Sequence, residues 1–166
     1  MKEFLEGRRF GFALRPQLGH IALGLAIAVT LLDLMAWFGW GARDTNGFVI
    51  ADAWLAVATA VVAALATITA AVESSDAAEE DRALARLDVL AALVVVVLYA
   101  ASSALRITDL GAAGASPGAL VAAVAGLLVL LVDGVIASTL YSSREWAVLD
   151  EEEYEPRRHQ KRRRAS

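Results

Sequence analysis

Cysteine is absent from the 166 residues, and histidine occurs only twice, at His20 and His159. Without cysteine, structural disulfides, cysteine-ligated zinc, iron–sulfur centres, thiolate nucleophiles and covalently attached c-type haem are all excluded. With one histidine beside an apolar run and the other in a charged tail, a single chain lacks the pair that buried bis-histidine haem ligation needs. There is also no phosphate-binding glycine loop, zinc-protease helix, nucleophile elbow or plausible catalytic triad. The few polar groups inside apolar runs do not compose a recognisable reaction centre, so the chain is expected not to be an enzyme.

Apolar residues, by contrast, make up 58% of the chain and mean hydropathy is +0.55, above what a globular domain carries. A membrane span needs about 20 mostly apolar residues. Windows at 18–38, 49–72, 87–105 and 118–141 meet that requirement with few charges each. The first is too long for a cleaved secretory signal, lacks an obvious A-x-A cleavage site and precedes three more spans, so it is read as retained. The connectors GWGARDTNGF, ESSDAAEEDRALAR and TDLGAAGASPG carry turn and breaker residues and are too short to hold another domain.

The net charge of -4 conceals a segregated pattern. Lys2, Arg8, Arg9 and Arg15 precede the first span, Arg82 and Arg86 lie in the middle connector, and RRHQKRRR closes the chain; only Arg43 and Arg106 fall on the opposite side. The positive-inside rule then places both termini in the cytoplasm. Trp37, Phe38, Trp40 and Phe48 form an aromatic belt at the outer interface, and Tyr141 and Trp146 mark the inner exit of the last helix. The expected fold is an all-α membrane protein of the plasma (inner) membrane: four transmembrane helices in an up-down antiparallel bundle, residues 18–141. Small-residue pairs at Gly24 and Ala28, Ala122 and Gly126, and Gly134 and Ser138 are expected on helix contacts.

Ionisable residues in spans are costly and face the bundle interior or a wet cavity. Depth sorts them into two layers. Asp33, Asp52 and Arg106 lie near the outer helix ends, where one guanidinium can be shared between two carboxylates. Arg15, His20, Asp88 and Asp133 are expected to form an inner polar layer, with Asp133 the deepest of them. Asp88, Tyr99, Ser102 and Arg106 recur on one face of the third helix at about 100° per residue, and Asp52, Thr59, Ala63 and Ala70 make a polar and small stripe on the second. A plainer reading leaves the outer carboxylates within reach of interfacial water, with Arg106 snorkelling to the headgroups.

His20 could ligate haem or a metal, with a symmetric dimer supplying the second ligand, or relay protons; the simpler expectation is an interfacial histidine hydrogen-bonded to Asp88 or to backbone. RPQLGHIALGLAIAVTLLDLMAW, RALARLDVLAALVVVVLYAASSALR and LVLLVDGVIASTLYSSREWAV resemble the first, third and last helices of the bacterial four-helix membrane proteins known as domain-of-unknown-function family 2231. That resemblance covers about residues 15 to 148, and its first-helix motif begins H-P-x-x-V-H-F-P. Pro16, His20 and the first-helix aspartate Asp33 match the pattern, whereas Arg15 replaces its opening histidine and Asp88 falls at its third-helix histidine. The resemblance therefore implies that a cluster able to hold three histidines keeps one here, either without its cofactor capacity or converted to a His–Asp pair.

Residues 1–17, with Phe4, Leu5, Phe10, Phe12 and Leu14 among charges, read as a cytoplasmic segment able to lie in the interface. Residues 142–166 turn from acidic to basic around Pro156 and carry too little apolar content to fold alone, so a disordered cytoplasmic tail is expected. Its Arg157, Arg158, Lys161, Arg162, Arg163 and Arg164 suit anionic lipid headgroups. Nucleic acid is not expected as a partner, since no aromatic stacking groups accompany the basic run. The leading expectation is a small accessory or scaffold membrane protein that binds protein or lipid partners or forms a homo-oligomer, with no cofactor. The alternatives are a haem- or metal-binding redox subunit using His20 across a dimer, and a small transporter or proton-conducting protein using Asp133.

Overall fold

The computed structural model describes residues 14–41, 46–75, 77–114 and 116–164, with side chains described as far as residue 140. It is all-helical in these residues: α1 Leu14–Trp37, α2 Gly47–Ser74, α3 Arg82–Ile107 and α4 Pro117–Arg164. Four helical stretches, Leu14–Trp37, Gly47–Ser74, Arg82–Ile107 and Pro117–Leu140, are long and apolar enough to cross a membrane. Leu, Ala and Val dominate them, and in lipid an uninterrupted helix satisfies every backbone polar group without water. Each helix packs against its neighbours in sequence, and α4 returns against α1 more sparsely to close the ring.

The buried positions explain the packing. On α1 they are Arg15, Ala22, Ala26, Val29, Asp33 and Ala36; on α4 Ala119, Ala123, Gly126, Leu130, Asp133, Ala137 and Leu140. Alternating steps of three and four residues keep one seam facing the partner helices, as in knobs-into-holes bundles. Alanine fills most of these seams, letting backbones approach closely, while Leu31, Leu34, Leu93, Val97, Leu128 and Val135 point outward, as lipid requires. Of the small-residue pairs expected at contacts, only the second reaches one: a Cβ on Gly126 would lie 2.6 Å from Cε2 of Tyr99. Gly24, Gly134 and Ser138 are exposed, because the packed seams run through Ala22, Ala26, Leu130 and Ala137 instead.

α1 begins at Leu14 rather than after residue 17, and tolerates Pro16 because the first-turn N–H groups have no helical partner. The interfacial segment expected over residues 1–17 otherwise lies outside the described residues. At the other end, α4 does not stop near residue 141; it continues through Pro156 to Arg164, 48 residues in all, about 72 Å at 1.5 Å per residue. A helical arm thus stands where an unfolded tail is expected. Its Glu, Arg, Lys and Gln are good helix formers, the acid-before-base order suits the helix dipole, and the preceding apolar helix has already nucleated it.

Candidate functional site: two buried charge layers and a lateral cleft

The first layer lies near the α1–α2 and α3–α4 connections and is termed here the hairpin layer. Arg106, on the last turn of α3, donates from Nε to Asp52 of α2 and from Nη2 to Asp33 of α1. Its Nη1 donates to Ser102, one turn earlier on α3, whose hydroxyl donates to the carbonyl of Ala119 on α4 at 2.8 Å. One guanidinium therefore links all four helices, directly or through Ser102. All these side chains are buried, so Arg106 is a core cation and does not snorkel.

The second, the terminal layer, sits where α1 begins and the apolar part of α4 ends. Arg15 donates from Nε and Nη2 to both oxygens of Asp88, at 3.2 and 2.8 Å, and from Nη2 to Asp133 at 2.7 Å. α1, α3 and α4 are joined by this arginine, which is 2% exposed. Each layer sets one arginine against two aspartates, a formal excess of one negative charge. Each also leaves one buried carboxylate oxygen unpartnered among the described residues, Oδ1 of Asp52 and Oδ1 of Asp133.

His20 does not join the terminal layer. It is exposed and has no hydrogen bond or ion pair among the described residues, and Asp88, its expected partner, is held by Arg15. The reason is angular: five residues along a helix rotate by about 140° relative to Arg15, onto another face. Among the described residues no group of three or more His, Asp or Glu side chains is placed to hold a metal ion. The basic residues proposed for lipid, Arg157, Arg158, Lys161, Arg162, Arg163 and Arg164, lie on the arm of α4 beyond the described side chains.

Tyr99 separates the layers. It is fully buried, packs over Gly126 and donates its hydroxyl to the carbonyl of Ala123 at 3.2 Å. Around it Ala22, Ala26, Val29, Ala56, Ala63, Val95, Ala123 and Leu130 form one continuous apolar cluster. A small interstice beside Arg15 and Asp133, bounded by Ala22, Ala63, Ala66, Ala92 and Val95, has no room for a water molecule. A cleft of about 340 Å³ that Asp133 also lines opens between α1 and α4, with Gly19, His20, Leu23, Leu131, Gly134 and Ser138 among its walls.

Sequence patterning also passes over Asn46. Its side chain caps α2 by accepting from the N–H of Phe48 at 3.0 Å, and its Nδ2 donates to the carbonyls of Trp40 at 2.8 Å and Ala113 at 3.1 Å. The α1–α2 and α3–α4 connections are thereby fastened together. Gly41, at φ +109°, passes so close that a Cβ there would lie 2.3 Å from Oδ1 of Asn46. An asparagine immediately before an apolar run is a helix-start signal that could have identified it.

No family model, curated protein or solved structure matches the chain. Among the described residues, four helices are long and apolar enough to cross a membrane.

Proposed function

We infer that the chain is a non-enzymatic accessory or scaffold protein of the membrane: a charge-locked bundle that carries the helical arm of α4 as a platform for protein or anionic-lipid partners. The carrying observation is that the two arginines buried among the described residues, Arg15 and Arg106, are spent on carboxylates of other helices, with an apolar cluster between the layers. Charges used in this way define register and partner choice among helices. The acidic-then-basic sequence of the arm offers a surface for electrostatic recognition at the bilayer edge.

A transporter reading draws on the unpartnered oxygen of Asp133. Against it, the interstice beside Arg15 and Asp133 has no room for a water molecule, and an apolar cluster lies between the two layers. The test compares photo-crosslinking from positions 150–160 in native membranes with proton flux in liposomes. A discrete crosslinked partner or lipid, together with flux no faster than in protein-free liposomes, supports the scaffold reading. Flux that D133N abolishes in a folded protein overturns it.

A further inference from the structure

We propose that the cleft between α1 and α4 is a binding site for a primary ammonium carried on an apolar chain, with Asp133 as the charge that selects it. Three observations meet there. The cleft measures about 340 Å³, within the size range of small-ligand sites. Its walls are predominantly apolar, from Leu23, Leu130, Leu131, Val135 and Ala137, and it opens to the lipid-facing side of the bundle, where α1 and α4 meet most sparsely. Asp133, one of its lining residues, is 1% exposed and keeps Oδ1 unpartnered among the described residues while Oδ2 accepts from Arg15.

Charge decides the chemistry of the occupant. Arg15 already faces two carboxylates, so the terminal layer carries a formal negative excess that an anionic amphiphile would worsen and a cation relieves. Hydrogen bonding narrows the cation further. A primary ammonium has three donors in a compact head. Asp133, Ser138 and His20 all line the cleft, and the Asp133 carboxylate carries the oxygen without a partner among the described residues. The Ser138 hydroxyl donates its own proton to the carbonyl of Val135 at 2.8 Å, leaving its lone pairs to accept. Gly134 keeps the cleft open, since no atom lies within 4 Å of a Cβ placed there. This site gives the exposed His20 a role as a wall of the cleft, which the charge layers do not.

Two sources could supply that chemistry, an ethanolamine phospholipid of the bilayer or a free long-chain amine. The test uses the full chain in phosphatidylcholine nanodiscs and radiolabelled dodecylamine, with dodecanol and dodecanoate as controls of equal chain length. Saturable binding of the amine alone is expected, weakened about tenfold or more by D133N, which removes the charge but leaves Asp88 on Arg15. Because D133N acts within the ion layer, G134F is the second variant: it fills the cleft from an open position and should also abolish binding. Nanodiscs containing phosphatidylethanolamine distinguish the sources: displacement of the amine assigns the site to the aminophospholipid, unchanged binding assigns it to the free amine, and both support the site. Binding that is unsaturable, shared by dodecanol or dodecanoate, or unchanged in folded D133N and G134F overturns it. So does disulfide crosslinking of G134C chains into dimers that exclude the amine, which would assign the cleft to a second copy.

Discussion

Arg15 and Asp88 are paired across the diagonal of the bundle at a separation of 73 residues, and Asp33 and Arg106 repeat that pairing, at the same separation, with the charges exchanged. α1 carries the cation at one end and the anion at the other, and α3 carries the reverse. Along each helix the two positions are five turns apart, about 27 Å, close to the thickness of a bilayer's hydrocarbon core. A slip of either helix by one turn would separate both pairs together, so they fix register as well as proximity.

The formal negative excess in each layer leads to an asymmetry between arginine and aspartate variants. D52N and D133N relieve that excess while leaving Asp33 on Arg106 and Asp88 on Arg15; thermal unfolding in detergent should show a midpoint equal to or above that of the parent. R106M leaves Asp33 and Asp52 facing each other in the core and should cost about 3–5 kcal/mol, the scale for stranding a buried charge. Equal losses for D52N and R106M would contradict this.

Gly126 and Gly24 should respond in opposite ways to alanine. A Cβ at Gly126 meets the Tyr99 ring at 2.6 Å, whereas one at Gly24 meets nothing within 4 Å. G126A should cost about 1–3 kcal/mol by overpacking, and G24A should be neutral or stabilising by up to about 1 kcal/mol through lost unfolded-state freedom. Unfolding of both variants under the same conditions checks the contrast.

Asn46→Ala removes the α2 cap, a hydrogen bond within the α1–α2 connection and the one that joins it to the α3–α4 connection. A loss of about 1–3 kcal/mol is expected for an N-cap with buried partners. Hydrogen exchange should quicken at Phe48 and along the α3–α4 connection while the helix interiors hold; uniform loosening of all four helices would show that Asn46 acts elsewhere.

His20→Ala should leave thermal stability within about 0.5 kcal/mol, since the side chain is exposed and makes no hydrogen bond or ion pair among the described residues. An absorption spectrum and metal analysis of the purified parent and variant check the redox alternative: a chromophore or metal present in the parent and lost in H20A would make His20 a ligand.

The spans could be read from hydropathy because lipid constrains length and polarity so strongly, and Asp33, Asp52 and Arg106 could be grouped from depth alone. At the other end depth alone groups His20 with Arg15, but the rotation between them places them on different faces of α1, Arg15 buried and His20 exposed. Low apolar content argues against autonomous folding of residues 142–166, whereas α4 continues as one helix to Arg164. The cleft could not be foreseen, since it depends on how sparsely α4 meets α1.

The most direct test of charge locking is an exchange at the Arg15–Asp88 pair. R15D and D88R should each lower the unfolding midpoint in detergent sharply, and R15D/D88R should recover a substantial part of the loss, a positive coupling in a double-mutant cycle. Additive losses, or single variants as stable as the parent, would contradict the claim that these buried charges hold the bundle together.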